Sequence, residues 1–184
     1  MAVMSALRIA QFVLLMFVAT ALCAQQTPAT PPCQIPEQKQ LDFWVGDWDL
    51  TSPGSKSGEV LHHHNTIKRI LGGCIVQENF VGSDAPEQAP QLLGTSVSVF
   101  DVSSGKWKQT WVDNQGSYLD FTGEFKDSQM VLSRQAIRPD GTKIVQRMVW
   151  KNITANEFDW SWERSKDDGQ TWEVMWPIHY KRKN

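Results

Sequence analysis

Tyrosine occurs twice in this chain, histidine four times and cysteine three times, and neither sign of charge dominates. A net charge of -2 leaves no global field to gather nucleic acid or acidic lipid. The closing Lys181-Arg182-Lys183 is too short to track phosphates and reads as a solvated tail with one Arg reused in packing. There is no Cys-x-x-Cys, so no thiol pair is spaced for redox or zinc chemistry. Gly-x-Ser-x-Gly, the P-loop and Gly-x-Gly-x-x-Gly are also missing, which removes the nucleophile elbow and the phosphate cradles. The longest apolar stretch, residues 9–22, falls short of the ~20 residues that span a bilayer.

That stretch (IAQFVLLMFVATAL) follows Arg8 and precedes small residues, the pattern of an export signal. Residues 1–24 are read as a signal peptide, cleaved after Ala21, Cys23 or Ala24. Leu22 stands where a lipobox needs a small residue and argues against lipidation of Cys23; an uncleaved anchor is the remaining alternative. The mature protein is expected to be periplasmic or secreted, with no nucleic-acid partner and no membrane contact once the signal is gone. Residues 25–36 (QQTPATPPCQIP) carry four prolines and read as an extended linker, leaving residues 37–184 as one domain. Cleavage after Cys23 or Ala24 leaves Cys33 and Cys74. In an oxidising compartment two such thiols favour a disulfide over a reactive pair, and the competing reading of Cys74 is a small buried hydrophobe.

Nine tryptophans are the surplus. Rings of that size fill the core of a small β protein and also line pockets for flat or apolar ligands. Turn chemistry recurs at Pro53-Gly54, Gly72-Gly73, residues 101–105, residues 113–116, Pro139-Asp140-Gly141 and Asp167-Asp168-Gly169. It delimits about ten strands, near 42–51, 59–71, 74–81, 92–101, 106–113, 117–126, 129–137, 142–151, 157–165 and 171–181. Short strands with tight turns predict an all-β fold, a single antiparallel up-and-down barrel, because so many twisted strands curl shut and lose their edges. Residues 37–43 read as a short N-terminal helix plugging one end, and residues 82–91 as the longest loop, on the rim.

Alternation predicts the faces. Phe158, Trp160 and Trp162 share one side, Trp107, Gln109 and Trp111 another, and Trp172, Val174, Trp176, Ile178 and Tyr180 a third. Polar groups on apolar faces need a partner or a ligand. These are Asn65, Glu78, Gln109 and Arg134; Arg147 sits on a face of ambiguous polarity. A buried Glu78 calls for a cation such as Arg134 or Arg147, or else a proton. With Trp111 and Trp162, the residues Asn65, Glu78, Gln109 and Arg147 form the candidate ligand site.

Parity decides the reading of His62-His63-His64. If Asn65 and Ile67 face inward, so does His63, while His62 and His64 face water; no carboxylate or thiolate completes a zinc set. A haem on His63 or His179 is a further alternative, but no metal or other cofactor is expected. Residues 165–172 (SKDDGQTW) fit the Asp-box turn of sialidase propellers, whose role is to shape a β-turn. One copy in a chain of this length marks a hairpin and says nothing about sugar.

Residues 41–50 (LDFWVGDWDL), Asn65-x-Ile67, the run from Ile70 to Cys74 with Glu78, and Gly94-Thr95-Ser96 together carry a resemblance. Trp107-x-Gln109-x-Trp111-x-Asp113, Arg147-x-x-Trp150 and the SKDDGQTW turn ending in Tyr180 extend it. The chain resembles exported bacterial proteins of a domain-of-unknown-function family with calycin (lipocalin- or nitrobindin-like) β-barrels. The resemblance implies that barrel, a Cys33–Cys74 bridge and a clamp of Trp48 with Arg182 across the closed end. It implies nothing about substrate. Two classes of function follow from the residues: a barrel binding a small apolar or aromatic ligand, or a small enzyme using Glu78 or Asp113 beside Arg147 in the barrel mouth. A filled barrel without a cavity is a third reading, and the sequence carries no signal for an oligomeric state.

Overall fold

The structure, a computed structural model, describes residues 33–83 and 90–183. The signal peptide, residues 25–32 of the linker and residues 84–89 of the rim loop lie outside the described residues. Ten strands follow one another: β1 (Gly46–Pro53), β2 (Val60–Ile70), β3 (Ile75–Val81), β4 (Leu93–Asp101) and β5 (Lys106–Asp113). They continue as β6 (Tyr118–Lys126), β7 (Gln129–Ile137), β8 (Lys143–Lys151), β9 (Glu157–Ser165) and β10 (Glu173–Arg182). Each pairs antiparallel with its neighbours in sequence, and β1 pairs with β10, so the sheet closes and no edge strand remains. The expected all-β barrel is therefore present, and all strands but β1 begin and end within two residues of expectation.

β1 begins late because the chain before it coils. The predicted short helix is present as two 3-10 turns, Pro36–Lys39 and Asp42–Trp44. Pro36 supplies the fixed φ of a first turn, and the Ile35 amide donates to Gln38 Oε1 at 3.2 Å. These turns carry Leu41 and Trp44 beneath the barrel, where both are buried, with Trp44 edge-on to Trp150 at 5.3 Å. Burying one such ring removes roughly 200 Å² from water, or about 5 kcal/mol at ~25 cal/mol/Å².

Arg182 locks the base. Its guanidinium lies 4.1 Å from the Trp48 ring and donates to the carbonyls of Ala155 (2.8 Å), Val45 (2.9 Å) and Phe43 (3.1 Å). Trp48 Nε1 donates to the Trp44 carbonyl at 2.8 Å. The contact ties together the start of β1, the end of β10 and the β8–β9 turn. It also explains Gly46: a Cβ there would lie 2.2 Å from Arg182 Nη1, and φ is +140°. Cys33 is bonded to Cys74 with Cα atoms 4.9 Å apart, pinning the lead-in to the barrel. The 41-residue separation gives a loop-closure stabilisation of roughly 3–4 kcal/mol.

One face differs from expectation. A β-bulge between Val174 and Trp176 shifts the register of β10 against β9. Val174 pairs with outward Glu163, whereas Trp176 pairs with inward Trp162. Trp176, Ile178 and Tyr180 therefore face in as predicted, while Trp172 and Val174 do not. One extra residue reverses the side on which every preceding side chain falls. The SKDDGQTW turn lies just before the bulge and is held by its own side chains. Gly169 N donates to Ser165 Oγ (2.8 Å), Thr171 N to Asp167 Oδ1 (2.9 Å), and Trp172 Nε1 to the Gly169 carbonyl (3.0 Å).

Candidate functional site

The closed half of the barrel is filled, and the other half is not. A cavity of about 260 Å³ opens between the strands toward the β3–β4 and β5–β6 loops. Five tryptophans contribute to its walls: Trp111 from β5, Trp150 from β8, Trp160 and Trp162 from β9, and Trp176 from β10. Phe80 and Phe121 complete the aromatic lining, and their rings meet the tryptophans edge-on, with Phe80 5.8 Å from Trp176 and Phe121 5.7 Å from Trp162. Glu78 and Tyr180 form the floor, and Leu92 and Asp113 stand at the mouth.

The floor is polar because one inward position on each of four strands carries a hydrogen-bonding group. Asn65 Nδ2 donates to Glu78 Oε1 at 2.7 Å and to Tyr180 Oη at 3.1 Å, and Ser96 Oγ donates to Glu78 Oε2 at 2.6 Å. All four side chains are buried. Among the described residues no cation reaches Glu78. Burial alone disfavours its charge, the bonds from Ser96 and Asn65 offset this only in part, and the pKa rises from 4.5 to about 7. Burial, and then the nearby Glu78 charge, push the Tyr180 phenol well above its ordinary value. Asn65 Oδ1 has no partner, although the residue is fully enclosed.

The mouth is built differently. Burial opposes ionisation of Asp113, but bonds from Trp111 Nε1 (3.0 Å) and the amides of Gln115 and Ser117 outweigh it, holding its pKa below the usual range. The same bond orients the Trp111 indole, which lies across Gly94. A Cβ at Gly94 would fall 2.0 Å from Trp111 Cζ2, so the ring reaches the cavity wall only because residue 94 has no side chain.

Of the residues expected to meet a ligand, Glu78, Trp111 and Trp162 line the cavity, as does Asp113. Asn65 stands directly behind Glu78. Gln109 faces inward but lies outside the cavity lining, donating to Ser98 Oγ at 2.8 Å. Arg147 is on the outside of the barrel, a correction to the expected site. It pairs across strands with Ser133 and Glu163, binds the Glu163 carboxylate at 2.6 Å, and stacks 3.7 Å above the Trp172 ring. Its neighbours Met148 and Trp150 also share an enclosed environment with outward Val149, so burial along β8 does not reveal which parity faces in. Arg134 also leaves Glu78 unpaired and binds Gln146 Oε1 at 2.8 Å. Sequence reasoning did not select Trp150, Trp160 or Trp176 for the site; the period-2 run Phe158, Trp160, Trp162 was the available signal.

The histidines fall as parity predicts. His63 is buried; Ser83 N donates to its Nδ1 at 2.9 Å, so Nε2 carries the proton given to Ser52 Oγ at 2.7 Å. Burial, followed by the charge of His62, lowers its pKa. Both ring nitrogens are engaged, which does not fit an axial metal ligand. His179 faces outward beside Asp159 at 2.9 Å, away from the cavity. Among the described residues no three His, Cys, Asp or Glu side chains gather with metal-binding geometry.

Residues 34–182 match the family model described as Protein of unknown function (DUF1579). The chain belongs to that family. The match covers the whole DUF1579 barrel, from beside Cys33 to the Arg182 clamp. A crystal structure of Rv2717c from M. tuberculosis is similar at a TM-score of 0.53 and 11% sequence identity, covering 82% of this chain and 99% of that one. At that identity the likeness concerns fold alone. Comparison with curated proteins found no match.

Proposed function

We propose that this DUF1579 protein is an exported, calycin-like barrel that encloses one small apolar or aromatic ligand. The observation that carries the reading is the cavity of about 260 Å³ walled by five tryptophans above a rigid, clamped base. Concave, largely apolar sites with a few convergent polar groups are where proteins of this size hold small molecules. Asn65, Glu78, Trp111 and Trp162 are the proposed ligand contacts or their immediate supports. Export is supported by the Arg8-led apolar segment and by the Cys33–Cys74 bridge, which suits an oxidising compartment. The alternative of a small enzyme has lost one of its parts, since Arg147 stands on the opposite side of the wall from Glu78.

Tryptophan fluorescence tests the binding reading, because a ligand in this cavity touches indoles on four strands. Titration with a panel of lipids, haem and flavonoids is expected to quench or shift the emission with at least one member. No response to any member, with an interior found packed solid, refutes the reading. Mass spectrometry of the periplasmic protein reads out the cleavage site and the disulfide together.

A further inference from the structure

Resting on that binding reading, we infer that the ligand is a small organic cation: an aromatic or alicyclic ammonium whose charged nitrogen meets Glu78 while its body lies among the tryptophans. The lining carries two carboxyl groups, Glu78 and Asp113, and no Lys, Arg or His among the described residues. Glu78 is 6% exposed and receives only neutral donors, from Asn65 and Ser96. Asn65 stands behind Glu78, outside the cavity lining, so Glu78 is the floor group that a ligand meets. The floor is therefore short of donors, and an ammonium group is the ligand chemistry that supplies both donors and compensating charge. The walls select in the same sense, since indole faces attract a cation more strongly than any other side-chain ring does. Once Glu78 is ionised, a carboxylate or phosphate ligand meets like charge at Glu78 and Asp113, and the Arg134 guanidinium, 5.9 Å from the Phe121 ring, is held by Gln146. A neutral hydrocarbon fills the walls but leaves the floor unanswered.

The apolar contact and the charge contact separate experimentally. Isothermal titration calorimetry of the purified protein, disulfide intact, at pH 8 compares 2-naphthylmethylamine with 2-naphthylmethanol, which share a body and differ in charge. The amine is expected to bind at least about tenfold more tightly. In Glu78→Gln the side-chain oxygen can still accept from Asn65 Nδ2 while the new amide nitrogen donates to the Ser96 hydroxyl, so the floor keeps its shape without its charge. There the ratio of amine to alcohol affinity is expected to fall to about twofold or less. Equal affinities in the wild type, or a preference that survives in E78Q, overturn the cation assignment while leaving the binding reading in place. Binding of neither probe, together with a silent fluorescence panel, removes the binding reading and this inference with it.

A second measurement needs no variant. Between pH 5.5 and 8.5 the amine stays charged, and the wild-type preference is expected to grow as Glu78 ionises. Asn65 from β2, Ser96 from β4 and Tyr180 from β10 adjoin Glu78, and Trp111 and Asp113 from β5 line the same cavity. Asp113 is held low and Tyr180 high, so neither titrates in that window. His63, stacked on Phe80 at 5.7 Å, has its pKa lowered by burial and then by the His62 charge, and it faces both probes alike. A preference that stays flat across the window overturns the assignment.

Discussion

Replacing Glu78 by Gln removes one titrating group from the barrel floor while keeping its shape, and the dependence of folding stability on pH reports what that group does. Glu78 carries a pKa of about 7 in the folded protein against an ordinary 4.5. Below pH 4.5 it is protonated in both states and its contribution is fully present. Between pH 4.5 and about 7 the unfolded chain has released the proton and the folded chain has not, so stability falls as pH rises. Above about 7 the loss is complete, and the gap between the two pKa values corresponds to about 3 kcal/mol. In urea denaturation with the disulfide intact, the wild type should therefore lose about 3 kcal/mol relative to E78Q between pH 4.5 and 8.5. Thermal melts should show the gap in Tm moving by roughly 6–12 °C for a domain of this size. Other titrating groups are common to both proteins and cancel in the difference. A difference that is flat with pH, or that grows in favour of the wild type as pH rises, refutes the assignment of Glu78 as a buried carboxyl without a cation.

Arg182→Met keeps the aliphatic contact with Trp48 but removes the cation over its ring and three bonds to backbone carbonyls. Denaturation is expected to show a loss of about 2–4 kcal/mol, with binding at the opposite end unchanged. Gly94→Ala drives a methyl into Trp111 and forces the indole toward the cavity. It should cost about 1–3 kcal/mol of stability, and calorimetry should show the naphthyl probes bound at least about tenfold more weakly; retained affinity contradicts the proposed wall.

The architecture is largely legible in the sequence, because it rests on local rules. Turn residues at regular spacing delimit ten strands, and the alternation in β9 places Phe158, Trp160 and Trp162 on one side whatever their neighbours do. Residues 41–50 and Tyr180-Lys181-Arg182 mark the two ends that must meet, and they meet at Trp48 and Arg182. Inward parity likewise predicts His63, Asn65 and Glu78. Where the local rule is interrupted, alternation misleads. The bulge at β10 is a property of how that strand meets β9, and no residue within the strand announces it, so simple alternation puts Trp172 and Val174 on the wrong side. Arg147 was ambiguous for a related reason: outward residues of β8 are themselves covered by Trp172 and the end of β9, which blurs the polar face.

The sequence by itself determined a chain of short antiparallel strands rich in tryptophan, with the acid Glu78 and the amides Asn65 and Gln109 on inward positions. Period-2 alternation and turn chemistry are encoded within a few residues, so they survive being read one segment at a time. Only the closed barrel decided that Glu78, Asn65, Ser96 and Tyr180 meet at one floor, that Arg134 and Arg147 are both engaged elsewhere, and that the tryptophans leave a space. Whether a buried carboxyl has a cation beside it depends on contacts between residues as far apart as 65 and 180. Such contacts exist only once the last strand has closed against the first.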